Sequence, residues 1–128
     1  MDRERNGFSL IELLIVVAVI GTLAAIAIVL LNGTQQQSRI ARAQGDVRAI
    51  ASAVSLYLTH TGALPPDLAT LTSPATNSAG AQTGPFLTRL PSPPSGGSPA
   101  WTSYSYVNNG DGTWAVTASG DSTAVRAP

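Results

Sequence analysis

Between Phe8 and Leu31 the chain holds one charged residue, Glu12, in a run that is otherwise apolar or small. As an α-helix this run extends about 36 Å at ~1.5 Å per residue, enough to cross the ~30 Å hydrocarbon core of a bilayer. It therefore reads as a transmembrane segment and not as a core helix. A cleaved secretory signal is the competing reading, since Ala24, Ala25 and Ala27 imitate the small residues of a signal cleavage site. The acid inside the run, and the length of the run, weigh against it. Met1-Asp2-Arg3-Glu4-Arg5-Asn6-Gly7 forms a short polar leader. Arg3 and Arg5 favour a cytoplasmic location for it, although Asp2 and Glu4 soften that signal.

Composition narrows the function classes. Charged residues make up 11% of the 128, with seven basic side chains, all Arg, against seven acidic ones. Ordinary soluble domains carry about 25%. The balance excludes the basic surplus of a nucleic-acid binder and the charge blocks of a disordered tail. A neutral, sparsely charged surface promotes association, so self-assembly is a natural use for it. Cysteine is absent, which removes disulfides, thiolate zinc sites and thiol nucleophiles. The single histidine, His60, has no visible catalytic or metal-binding partners, and the serines lack a nucleophile motif and a base. These counts leave very little equipment for catalysis, and an enzyme is not expected.

The helix continues past the apolar run. From Thr34 onward Ile40, Ala43, Val47, Ile50, Val54 and Tyr57 alternate steps of three and four, the seam of an amphipathic helix. Arg39, Arg42, Asp46 and Arg48 fall away from the seam and are expected to be solvated. The pattern ends at Thr61-Gly62, where Gly supplies a left-handed cap and Pro65 and Pro66 follow. Asn32-Gly33 is a weak joint inside the helix, because Gly costs ~1 kcal/mol relative to Ala.

Beyond residue 62 the chain reads as a small head. Leu68 to Leu71 suggests a short helix or turn, and Thr72 to Pro85 a surface loop. Phe86, Leu87 and Leu90 are expected to pack against the stalk, ahead of a second loop over residues 91–99. Tyr104 and Tyr106 alternate with Ser on one strand, and Trp114, Val116 and Ala118 share a face of the next. Asn108-Asn109-Gly110-Asp111-Gly112 between them tolerates positive φ, as a hairpin requires. Tyr57, Trp101, Tyr104, Tyr106 and Trp114 suit a small core better than a ligand-stacking surface. The expected fold class is α+β. A long N-terminal helical stalk carries a small antiparallel sheet packed on its upper half. The segments are 1–7 (leader), 8–31 (membrane half of the stalk), 32–61 (amphipathic half) and 62–128 (head).

Gly7-Phe8-Ser9-Leu10-Ile11-Glu12-Leu13-Leu14-Ile15-Val16-Val17, continuing through Gly21, Leu23, Ala24, Ala25 and Ile26, resembles the N-terminus of type IV pilins and of the pseudopilins of type II secretion. The resemblance implies that a prepilin peptidase cuts between Gly7 and Phe8 and that Phe8 is then N-methylated. It also implies that Glu12 becomes the buried carboxylate facing the N-terminal amine of a neighbouring subunit. A carboxylate one turn inside a membrane helix costs ~2.5–3.5 kcal/mol at depth and by default marks a functional site. Pairing of Glu12 with its own Phe8 amine is the plainer alternative. Further along, Arg42-Ala43-Gln44-Gly45-Asp46, the stretch from Ile50 to Tyr57, Gly62-Ala63-Leu64-Pro65 and Gly84-Pro85-Phe86-Leu87-Thr88-Arg89-Leu90-Pro91 look like the stalk end and returning head segment of major pseudopilins.

Three departures accompany the resemblance. Val29 stands where the family usually has Pro, which shifts any local melting of the stalk to Gly21 or to Asn32-Gly33. Ser92-Pro93-Pro94-Ser95-Gly96-Gly97 stands near the place of the family's Asp-Pro-Trp-Gly element. The C-terminal calcium loop of the family usually has more acidic ligands than Ser119-Gly120-Asp121-Ser122 offers. Asp111 and Asp121, with Ser119, Ser122 and backbone carbonyls, make at most a weak calcium site; the alternative is that Asp111 shapes the hairpin turn and Asp121 caps a loop. No other cofactor is expected.

The resemblance thus implies a homo-oligomeric helical filament, processed by prepilin peptidase and assembled from the cytoplasmic membrane. A platform protein, a cytoplasmic ATPase and minor pilins or pseudopilins would take part, with the head outside the cytoplasm. Nucleic-acid binding is not expected. A secretion pseudopilus is the first expectation. A surface pilus for adhesion, motility or DNA uptake is the alternative, as is a membrane-anchored binding domain that never polymerises.

Overall fold

The structure, a computed structural model, describes residues 7–128; leader residues 1–6 and the side chain of Asn32 lie outside the described residues. The chain divides into two compact units, one ending at Gln35 and one spanning Gln36–Pro128, with helix α1 (Leu10–Thr61) contributing to both. The start of α1 is set by Ser9. Its carbonyl accepts the Leu13 N–H at 3.2 Å, and its own N–H donates to Glu12 Oε2 at 3.1 Å. That reach-back from the third helical position is one half of a capping box. In the first unit the large apolar side chains stay open, from 49% exposed at Val16 to 83% at Phe8. The helix passes through Gly21, Asn32 and Gly33 without interruption. A Cβ at Gly21 or Gly33 would meet no neighbour, so packing within the chain does not call for glycine at either position.

The far end of α1 stops as the sequence predicts. Gly62 adopts φ +80° and donates its N–H to the Leu58 carbonyl at 2.8 Å, the left-handed cap of a helix C-terminus. Within the second unit the expected seam is the buried one. Ala43, Val47, Ile50, Ala53 and Val54 are buried, and Ile40 and Tyr57 are partly so.

Three strands form the main sheet in the order β3-β4-β5: β3 (Ser105–Asn108), β4 (Trp114–Gly120) and β5 (Thr123–Ala127). Both pairings are antiparallel, with Tyr106 opposite Val116 and Ala118 opposite Val125. Val116, Ala118 and Val125 join Leu68, Leu71, Trp101 and Tyr104 around the helix seam in one core. A short 3-10 helix, Ala69–Thr72, places Leu71 in that core. Phe86 and Leu87 both donate their N–H to the Leu71 carbonyl at 2.9 Å, and Phe86 meets Tyr57 edge-on with ring centroids 5.5 Å apart.

Two expectations need correcting. The stretch over 72–85 is not only loop: β1 (Ala75–Thr76) and β2 (Gln82–Thr83) pair as a minimal hairpin. Two-residue strands carry no alternation to detect. The hairpin rests instead on Asn77, whose Oδ1 accepts the N–H groups of Ala79 and Ala81 at 3.0 and 2.9 Å. Leu90 is exposed rather than packed on the stalk, because the anchoring bonds to Leu71 end at Leu87.

Since Ile50 is fully buried at the centre of the seam, Ile50→Ala is expected to lower stability by about 2–5 kcal/mol. Arg48→Ala, two residues away on the exposed side, should change it by no more than about 0.5 kcal/mol. Denaturant unfolding of the full chain in detergent, followed by tryptophan fluorescence, measures both.

Candidate functional site

Two places carry the residues singled out from sequence, one in each unit. The first is the junction of leader and helix. Gly7 and Phe8 are exposed and precede the first turn of α1. Glu12 lies in that first turn, one turn from Phe8. With the Gly7–Phe8 bond uncut, its carboxylate is occupied locally by the Ser9 N–H. A carboxylate in the first turn also complements the positive end of the helix dipole.

The second place is the turn joining β4 to β5. Asp121 and Ser122 both have positive φ, 49° and 59°, between the paired residues Gly120 and Thr123. Two successive positive-φ residues are the pattern of a type I′ hairpin turn, usually supplied by Asn-Gly. Here two residues with side chains occupy it, and the turn is held from outside. The buried Asp121 carboxylate receives Arg39 Nε on Oδ2 at 2.7 Å and Arg39 Nη2 on Oδ1 at 2.9 Å. Trp101 Nε1 donates to Oδ2 at 2.9 Å, and the Ser98 N–H to Oδ1 at 3.2 Å. Backbone bonds complete the enclosure: Asp121 N–H to the Pro99 carbonyl, and Gln36 Nε2 to the Asp121 carbonyl at 3.2 Å. The Arg39 guanidinium, assisted by the indole and Ser98 N–H groups, holds the Asp121 carboxyl well below the usual range, against the opposing effect of desolvation.

Glycine is required beside this carboxylate. A Cβ at Gly120 would fall 2.5 Å from the Trp101 ring and 2.8 Å from its Cα. At Gly97, whose φ is +98°, a Cβ would come within 2.9 Å of Asp121 Oδ1.

The structure does not bring the two candidate calcium ligands together. Asp111 sits in the β3–β4 turn and Asp121 in the β4–β5 turn, at opposite ends of the seven-residue β4. That separation is about 20 Å at ~3.3 Å per residue. Asp111 Oδ1 accepts from the N–H and hydroxyl of Thr113 at 2.8 and 2.5 Å, which shapes its own turn. His60 Nε2 lies 3.2 Å from the carbonyl oxygens of both Ala75 and Ala81, tying the β1–β2 hairpin to the end of α1.

Two residues expected to be solvated are instead structural. Arg39 binds Asp121, and Asp46 accepts the Tyr104 hydroxyl at 2.7 Å. Spacing held a signal for Arg39. It stands four residues before Ala43 and eight before Val47, so it extends the buried stripe by one turn. Arg42 and Arg48 are exposed as expected.

Comparison with known proteins falls on the same two regions. Residues 2–28 match the prokaryotic N-terminal methylation motif, which defines a prepilin-type chain. Residues 30–125 match the protein G family of the type II secretion system (T2SS), and the chain belongs to that family. The type II secretion system core protein G of Pseudomonas aeruginosa is 38% identical over 55 residues, covering 43% of this chain and 39% of that protein. Its counterpart in Dickeya chrysanthemi is 30% identical over 57 residues, covering 44% and 37%. The matched stretch is thus less than half the length of either relative. No solved structure matches the chain. The motif together with the exposed apolar helix indicates membrane anchoring through the N-terminal segment.

Burial, reinforced by the Asp46 carboxylate, raises the Tyr104 hydroxyl above its ordinary value of 10.0. A raised folded-state value means that this group's stabilisation is complete below pH 10 and fades as pH rises through the folded value. The full chain should therefore lose stability on alkalinisation above about pH 10, and Tyr104→Phe should flatten that loss. Unfolding midpoints measured across the alkaline range check it.

Proposed function

We propose that this chain is a major structural subunit of a type II secretion pseudopilus, a helical filament assembled from the membrane. The observation that carries this reading is the joining of a prepilin-type motif, on a helix whose apolar side chains are open from Phe8 to Leu31, to a head of the protein G family. In the bilayer the apolar side chains of Phe8–Leu31 contact lipid. In a filament they would contact the same helix of neighbouring copies, which replaces one apolar environment by another. Apolar burial alone then gives little direction to assembly, so close packing and polar pairing must supply it.

Glu12 provides the directional term. Its charge at membrane depth costs ~2.5–3.5 kcal/mol when unpaired. Peptidase cleavage between Gly7 and Phe8 creates a new amine at Phe8, and N-methylation leaves it cationic. Pairing of Glu12 with the Phe8 amine of an adjacent copy would fix one axial position, because a slipped register leaves both charges buried and unpaired. Gly21 and Asn32-Gly33, where helix propensity is lowest, are the positions at which the stalk would bend or loosen as it leaves the bilayer. The partners in this scheme are prepilin peptidase, further copies of the chain, minor pseudopilins, and a platform protein driven by a cytoplasmic ATPase. The head lies outside the cytoplasm.

Mass spectrometry of the assembled protein should show an N-terminus at methylated Phe8. An uncut chain, or one cut after Ala27, contradicts the scheme. Glu12→Leu should insert normally but reduce filament yield roughly tenfold or more, since each ~1.4 kcal/mol lost is a factor of ten. Wild-type yield from that variant would remove Glu12 from the mechanism.

A further inference from the structure

The β4–β5 turn is where the resemblance to major pseudopilins places calcium, and the side chains present do not fit that ion. Calcium takes six to eight oxygen ligands, usually several of them carboxylate oxygens. This turn offers one carboxylate, and both of its oxygens already accept two N–H donors each. One donor pair belongs to a guanidinium, a permanent cation that repels a second cation at contact distance. Among the described residues no three His, Asp or Glu side chains gather into a cluster, and Asp111 lies at the other end of β4. The slot around the carboxylate is also closed on two sides, by the Trp101 ring and by the backbone of Gly97.

We propose that the Arg39 guanidinium takes the place of a divalent cation in this head, as a built-in counter-ion that closes the β4–β5 turn onto α1 and makes folding independent of calcium. The geometry suits the task. Arg39 presents Nε and Nη2 side-on to the two oxygens at 2.7 and 2.9 Å, a bidentate arrangement that fixes the orientation of the carboxylate as well as its charge. The turn needs such a fixture, because Asp121 and Ser122 both hold a left-handed backbone that residues with a Cβ disfavour. Arg39 is anchored in turn by its place on the row of Ala43 and Val47, so the counter-ion belongs to the same helix that carries the core. The Arg39 side chain is 22% exposed and that of Asp121 4%; the pair is shielded from competing ions on the side of the carboxylate. This inference concerns the head alone and stands whether or not the chain polymerises.

The test is thermal unfolding of the full chain in detergent, followed by the fluorescence of Trp101 and Trp114, in excess EGTA and in saturating calcium chloride. The two midpoints are expected to coincide. Arg39→Gln should lower the midpoint by about 10 °C in both conditions, because it leaves the Asp121 charge buried without its partner. Arg39→Lys should recover part of that loss by restoring the charge without the second hydrogen bond. A calcium-dependent rise in the midpoint of the unaltered chain would overturn the proposal, and that comparison needs no variant to fold. So would rescue of Arg39→Gln by calcium, or a midpoint for Arg39→Gln equal to that of the parent.

Discussion

The head depends on one stripe of α1. Ala43, Val47, Ile50 and Val54 form the surface against which the 3-10 helix, the Phe86–Leu87 return and the three-stranded sheet all close. A sheet with one apolar face must bury it against another element, here the helix. Every element of the second unit apart from α1 has seven residues or fewer, so among the described residues the seam is the long, regular apolar surface that they share. Arg39 extends that stripe by one turn with a charge in place of a methyl group. Its ion pair with Asp121 holds the last hairpin at the same surface.

The aspartates beyond the apolar run show how a weakly charged chain uses what charge it has. Asp46 holds the Tyr104 hydroxyl, Asp67 accepts the N–H and hydroxyl of Thr70, Asp111 shapes its turn through Thr113, and Asp121 binds Arg39. Hydrogen bonds from Thr70 and Thr113 hold the Asp67 and Asp111 carboxyls below their ordinary values. Each of these aspartates is committed to a structural contact. The outer surface carries Arg42, Arg48, Arg89 and Arg126 together with Asp67 and Asp111, among Ser, Thr, Ala and Gly. Such a surface offers little long-range repulsion to a second copy of itself.

Periodic features were legible in the sequence and pairwise ones were not. The seam showed as steps of three and four, the helix stop as Gly62 before two prolines, and the hairpin as alternation around a Gly-rich turn. Each is a local signal, written within a few residues of the element it creates. The Arg39–Asp121 pair joins residues 82 apart, and nothing near either residue announces the other. Asp121-Ser122 lacks the Asn-Gly signature of a hairpin turn; its backbone is set by the contacts around it and not by its own preference. Gly120 had no local reason to be glycine, and the Trp101 ring lying over it supplies one. The N-terminal motif is legible because it lies in one contiguous stretch, and residues 2–28 match the methylation motif.

In the proposed filament the two halves of α1 do different work: the open apolar run joins copies together, and the seam holds each copy's head. Imaging of filaments assembled from the full chain, at side-chain resolution, tests this most directly. The account predicts Phe8–Leu31 helices packed against one another at the filament centre, with each Glu12 carboxylate beside the Phe8 amine of an adjacent subunit. Filaments held together by head contacts alone, with the apolar helices apart or Glu12 facing no amine, would contradict it.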